Sequence, residues 1–168
     1  MYDHSLELIQ RIGDKELTGV EVGTYKGENA RLLLENCPKL SIYLVDIWST
    51  KHYTTPQDQL YNIDISDAKE QVYQLREEYV TRCKIVNLSS IEAARLFLPV
   101  DFVFIDAEHS YKQTIIDIQA WLPKTTQWIG GHDFCIEFDG VQQAVRELFN
   151  IFELGKGTTW FYDKRRSY

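Results

Sequence analysis

A chain of 168 residues with 44% apolar side chains can bury a sizeable core, and it reads as one domain over 1–168. Its formal charge of −7 argues against a face built for polyanions, and the basic cluster Lys164-Arg165-Arg166 reads as a solvated end. Cys37, Cys83 and Cys135 are widely spaced without C-x-x-C, and no run approaches the about 18 apolar residues of a membrane span, so a soluble, reducing, cytoplasmic setting is expected.

Asp3 or Ser5 is expected to cap a short opening helix with Leu6, Ile9 and Ile12 on one face, closed by Gly13. Leu17–Val22 reads as a buried strand. A glycine turn follows, then a helix marked by Ala30, Leu33, Leu34 and Cys37 and ended by Pro38. Leu40–Ile47 is a second strand with Asp46 near its end. The polar, aromatic stretch from Trp48 to Asn62, with His52, Tyr53, Pro56 and Tyr61, reads as a loop or lid. Ile65, Ala68, Val72, Leu75 and Tyr79 mark a helix that Asp64 would cap.

Lys84–Leu88 is a third strand, and Ser89 with Glu92 forms a capping box for a helix closed by Pro99. Asp101–Asp106 is the fourth strand. Ser110 with Gln113 suggests a second capping box, for a helix through Ile115, Ile118 and Leu122. Trp128–Gly131 is the fifth strand, and Val141, Ala144, Val145, Leu148 and Phe149 form a helical stripe after Asp139. Ile151–Leu154 and Thr158–Asp163 read as a hairpin around Gly155-Lys156-Gly157. Alternating strands and helices predict an α/β fold: a doubly wound, mostly parallel sheet with helices on both faces.

In such a sheet, ligands bind beyond the carboxyl ends of the strands. Those ends carry Glu21, Gly23, Asp46, Asn87, Leu88, Asp106, His132 and Asp133. The turn Glu21-Val22-Gly23-Thr24-Tyr25-Lys26-Gly27 lacks the G-x-G-x-x-G of a dinucleotide site, and Glu21 would repel a pyrophosphate. An acid there suits a ligand carrying an ammonium and a sulfonium, and Asp46 is placed to accept from ribose hydroxyls. These requirements describe S-adenosylmethionine better than a nicotinamide dinucleotide. The plain alternative is an ordinary strand–helix turn.

Asp106 and Asp133 end adjacent strands, so their carboxylates would repel unless a proton or cation lies between them. Mg²⁺ is the natural occupant, and His132 as a further ligand would tilt the site toward Mn²⁺ or Fe²⁺. His109, just after Asp106, is placed to act as a general base on a hydroxyl. The plain alternatives are that Asp106 caps a helix, that His109 is a surface residue, and that His132 only ties down a loop.

The segments Val20-Glu21-Val22-Gly23-x-x-x-Gly27, Leu44-Val45-Asp46, Phe102 to Tyr111 and Gly130-Gly131-His132-Asp133-Phe134 together resemble the class I S-adenosylmethionine-dependent methyltransferases. The likeness is to the small-molecule O-methyltransferase branch with macrocin-type sugar methyltransferases, cephalosporin hydroxylase-like proteins and the catechol and caffeoyl-CoA enzymes. It implies a Rossmann-like, seven-stranded sheet whose last strand is antiparallel. It implies that Glu21, Gly23, Thr24, Tyr25 and Gly27 line the methionine end, that Asp46 and Ile47 meet the ribose, and that Asn87, Leu88 and Ser89 lie by the adenine. Asp106 would border the cofactor and, with His132 and Asp133, hold a divalent cation, Mg²⁺ or Mn²⁺. Histidine at position 109, where catechol-type members have lysine, is the sugar-modifying pattern. The expected activity is O-methylation of a small hydroxylated metabolite, with no nucleic-acid or membrane partner. The alternatives are a metal-independent enzyme of the same fold or a non-catalytic cofactor-binding module. The resemblance also raises a homodimer in which a second copy completes the substrate side.

Overall fold

The computed structural model describes residues 2–49 and 65–166. The expected cap Asp64 and most of the Trp48 to Asn62 stretch, with Tyr53 and Tyr61, lie outside the described residues. The elements run α1 (Asp3–Ile12), β1 (Leu17–Val22), α2 (Glu28–Asn36), β2 (Leu40–Val45), α3 (Ile65–Glu78), β3 (Cys83–Val86) and α4 (Ser90–Leu96). There follow β4 (Val100–Ile105), α5 (Tyr111–Trp121), β5 (Thr125–Gly131), α6 (Asp139–Leu148), β6 (Glu153–Leu154) and β7 (Trp160–Asp163).

The sheet has seven strands in the order β3-β2-β1-β4-β5-β7-β6. β1 to β5 pair in parallel, whereas β7 is antiparallel to both β5 and β6. The chain winds outward from β1 to β3, then crosses back to build β4 and β5 on the other side. This reversal between β1 and β4 opens a crevice at their carboxyl ends.

Strand alternation sorts the core into two layers. Ile42, Leu44, Phe102 and Phe104 face α1, α2 and α3 through Leu8, Ile12, Leu33, Leu34, Val72 and Leu75. Val20, Val22, Val45, Val103 and Ile105 face α4, α5 and α6 through Ala93, Ile118, Trp121, Val141 and Val145. The observed strands and helices fall where periodicity predicts them, with ends shifted by a few residues. Among the described residues no helix is long and apolar enough to cross a membrane.

Three local expectations are revised. The buried positions of α1 are Ser5, Leu8 and Ile12, with Leu6 and Ile9 half-buried on its flank. Tyr2, rather than Asp3 or Ser5, occupies the N-cap, because the Ser5 hydroxyl has a buried partner on α2. Ser110 does cap α5, but Gln113 turns its side chain to Asp117 instead of closing a box. Ser89 and Glu92 form the full box on α4. The terminal basic residues find partners within the chain while both arginines stay exposed: Lys164 donates to the Leu122 and Thr125 carbonyls, Arg165 pairs with Asp163, and Arg166 pairs with Glu153.

Candidate active site

Glu21 sits in a sheet row between Leu44 of β2 and Phe104 of β4, on the face covered by α1 and α2. It is 3% exposed. Asn29 Nδ2 donates to its Oε1 at 2.6 Å, and Ser5 Oγ donates to Asn29 Oδ1 at 2.7 Å. The nearby Thr24 hydroxyl favours the ionised form but makes no hydrogen bond, and neither it nor Glu21 Oε2 has a partner although both are buried. Burial pushes the Glu21 carboxyl up to about 8, opposed by the Asn29 bond and reinforced by Asp106 and Asp46. The charge at this strand end is therefore expensive until a cation or donor meets Oε2.

The turn after β1 is shaped by close approach. Gly23, at φ +88°, lies so near β4 that a Cβ would stand 2.0 Å from the Asp106 carbonyl oxygen. Gly27 is the left-handed N-cap of α2 at φ +75°. Tyr25, also at positive φ, donates its N–H to Asp46 Oδ2 at 2.9 Å, while the Trp48 N–H donates to Asp46 Oδ1 at 2.7 Å. Trp48 closes the ring by donating its indole N–H to the Tyr25 carbonyl, and its side chain is buried. Each Asp46 oxygen keeps a further lone pair, so the carboxylate can still accept from a hydroxyl. Burial raises the Asp46 pKa, against these backbone bonds.

Asn87 donates to the carbonyls of Asp46 and Ile47 and accepts from Lys69 Nζ at 2.7 Å. Leu88 and Ser89 follow it directly, so the ends of β2 and β3 form one wall with the turn after β1.

Beyond β4 and β5 lies a second group. Ile105 is in register with Gly131, so Asp106 and His132 leave their strands side by side. His109 Nε2 is 2.8 Å from Asp133 Oδ2. His132 Nδ1 is 3.1 Å from Asp133 Oδ1 and 3.7 Å from Asp106 Oδ1. Burial alone would lower the His132 pKa, but its bonds to Asp106 and Asp133 and their charges raise it to about 10. Burial would raise Asp133, yet His109 and His132 hold it well below the usual carboxylate range. Both acids therefore favour the charged form of the His132 ring.

His109 is fixed from two sides. Its ring lies on Phe138 with centroids 4.1 Å apart, and α6 presses on its backbone at Gly140, where a Cβ would meet the His109 carbonyl oxygen at 2.7 Å. A cavity lined by Ile105, Asp106, His109, Thr114, His132 and Trp160 opens here. Thr158 Oγ1 lies 3.3 Å from His132 Nε2, and the His4 ring packs on His132 with centroids 4.4 Å apart.

The first group fits a ligand with an ammonium, because a buried carboxylate oxygen without a partner is an acceptor held for an outside donor. The second group fits a divalent cation in its donor set: one donor atom each from Asp106, His109 and Asp133 lie within 4.8 Å of one another. His132, also expected as a ligand, lies against the same two carboxylates. Sequence reasoning missed Ser5, Asn29, His4, Phe138 and Thr158. Asn29 was the most accessible of these, since an amide beside Ala30 on the inward face of an amphipathic helix requires a buried partner.

Residues 20–134 match the family described as methyltransferase domain. The fold is shared by a Corynebacterium glutamicum protein at 12% identity, with 99% of this chain and 82% of that chain covered and a TM-score of 0.68. An O-methyltransferase from Bacillus cereus, solved in complex with SAH, matches at 14% identity over 97% and 81%, with a TM-score of 0.65. An rRNA methylase from Streptococcus thermophilus matches at 11% identity over 96% and 94%, with a TM-score of 0.61. No curated protein gives a significant match. The family match runs from the Glu21 turn to the His132-Asp133 pair, and the chain belongs to the methyltransferase-domain family as an S-adenosylmethionine-dependent methyltransferase of class I fold.

Proposed function

We propose that this protein methylates a hydroxyl oxygen of a small metabolite such as a sugar, a natural product or a catechol-like compound. The observation that carries this reading is the 2.8 Å pair of His109 Nε2 with Asp133 Oδ2, set beside Asp106 at the strand ends. In this reading Glu21, Gly23, Thr24, Tyr25 and Gly27 line the methionine end of the cofactor. Asp46 and Ile47 meet the ribose, Asn87, Leu88 and Ser89 border the adenine, and Asp106 separates cofactor from acceptor.

S-adenosylmethionine, when bound, supplies a methyl group already activated on a sulfonium. The residues then have to position an oxygen and take its proton. Asp133 pairs with the His109 imidazole, which removes the acceptor's hydroxyl proton. Phe138 keeps the imidazole plane fixed, and His132 balances the charge of Asp106 and Asp133.

Convergence of Asp106, His109 and Asp133 favours a second reading, in which these residues hold Mg²⁺ or Mn²⁺. The ion would acidify the acceptor hydroxyl, and His109 would then be a ligand rather than the base. Unchanged activity of Asp106→Ala, together with indifference to added Mg²⁺ or Mn²⁺, would favour the metal-independent reading.

Small acceptors are favoured over RNA by the charge of −7 and by the internal pairing of Lys164, Arg165 and Arg166. The test is transfer of a labelled methyl from S-adenosylmethionine to a panel of sugars, phenols and catechols, with ribosomal RNA as control. An O-methyl product is expected. Labelling of the RNA alone would overturn the acceptor class.

A further inference from the structure

An acid placed in an apolar sheet row requires support, and the structure supplies it through a buried chain of three polar residues. Ser5 of α1 is fully buried on the inward face of the helix. Asn29, in the first turn of α2, is also buried. Ser5 Oγ donates to Asn29 Oδ1 at 2.7 Å, and Asn29 Nδ2 donates to Glu21 Oε1 at 2.6 Å. The order of these bonds is dictated by chemistry. Glu21 Oε1 accepts whether the carboxyl is ionised or carries its proton on Oε2, so the amide nitrogen faces Oε1 and the amide oxygen must then find a donor.

We propose that Asn29, oriented by Ser5, is a positioning residue for the cofactor acid: it holds Glu21 Oε1 so that Oε2 is presented to the ligand's ammonium. This inference rests on the cofactor reading above. It gives α1 a role in the cofactor site, since Ser5 feeds Glu21 while the preceding His4 lies against His132. The acids facing Glu21 are Asp46 and Asp106, and the Cys83 thiol is also within its field. Asn29 opposes all of these by stabilising the ionised carboxylate, so its loss both misplaces the acid and makes its charge harder to hold.

The experiment is calorimetric titration of S-adenosylhomocysteine into the wild type, Asn29→Leu, Ser5→Ala, Ser5→Thr, Glu21→Gln and the Glu21→Gln/Asn29→Leu double variant, across neutral to alkaline pH. Asn29→Leu should weaken binding about tenfold or more and move the affinity profile to higher pH, while Ser5→Ala should weaken it about threefold and Ser5→Thr restore it. In the Glu21→Gln background, Asn29→Leu should add less than about twofold, because residues acting through one carboxylate are not additive. Full additivity, or an Asn29→Leu profile identical to wild type, would overturn the inference. If Asn29→Leu fails to fold, the Ser5→Ala and Ser5→Thr pair decides the matter, since it changes one hydroxyl only. Unchanged affinity in Glu21→Gln would overturn the underlying cofactor reading; weakened binding there with Asn29→Leu silent would overturn only the role of Asn29.

Discussion

His109 and Asp133 come from different loops, one after β4 and one after β5, yet their side chains meet at 2.8 Å. Register alone brings the two loops together, because Ile105 and Gly131 are paired immediately before them. The acid stands against one imidazole nitrogen, and in the proposed reaction the ring takes the acceptor's proton. Replacing His109 by alanine should lower methyl transfer by about 10²-fold or more while changing affinity for S-adenosylhomocysteine less than about twofold. Single-turnover rates on the best acceptor, compared with calorimetry, check this split. Equal losses in both would mean that His109 supports the cofactor instead.

Glu21 gives a pH signature. Its carboxyl is raised from 4.5 to about 8 in the folded chain, so the folded state holds a proton that the unfolded chain releases between those values. Stability from this group is fully present below the unfolded value and falls as pH rises toward about 8. Glu21→Gln should therefore melt at a higher temperature than wild type at about pH 8 and at nearly the same temperature near pH 4. Melting curves across that range read the difference, and parallel curves would show that Glu21 is ionised throughout.

His132 lies against both Asp106 and Asp133. Removing it by His132→Ala takes its charge away from Asp106 and Asp133, so Mn²⁺ should raise the melting temperature of this variant more than that of wild type. If His132 were itself a ligand, the variant would respond less than wild type.

Gly140 is the point at which α6 fixes the backbone of His109. A Cβ there would stand 2.5 Å from the Tyr111 nitrogen and 2.7 Å from the His109 carbonyl oxygen, both backbone atoms with little room to give. Gly140→Ala should lower stability by about 1–3 kcal/mol and depress the transfer rate more than cofactor affinity. Denaturant unfolding with parallel rate measurements tests both effects.

Much of this architecture is legible because strand and helix periods are local properties. Phe102 to Ile105 alternates between two apolar layers, and Ala68, Val72 and Leu75 repeat at helical spacing, so each element declares its own buried face. The positions of Glu21, Asp46, Asp106 and His132 at one edge follow from the parallel winding. A terminal hairpin pattern allows an antiparallel strand to enter the sheet, but it does not say that β7 docks between β5 and β6.

Hidden from the sequence were relations between elements. Ser5 near a helix start reads as a cap, and only contact with Asn29 explains why it turns inward. Gly23 reads as a ligand glycine, whereas its closest constraint is the Asp106 carbonyl of the neighbouring strand end. His132 reads equally as a metal ligand or as a residue that ties down a loop, because spacing does not fix the side-chain direction. Its 3.1 Å contact with Asp133 is a property of the folded loop.

The central claim is that one strand edge holds the cofactor at Glu21 and the acceptor chemistry at His109. A crystal structure of the complex with S-adenosylhomocysteine tests it most directly. The ligand's ammonium is expected within about 3 Å of Glu21 Oε2, its ribose hydroxyls on Asp46, and its sulfur turned toward the cavity beside Asp106 and His109. An ammonium bound away from Glu21, or a sulfur turned away from that cavity, would contradict it.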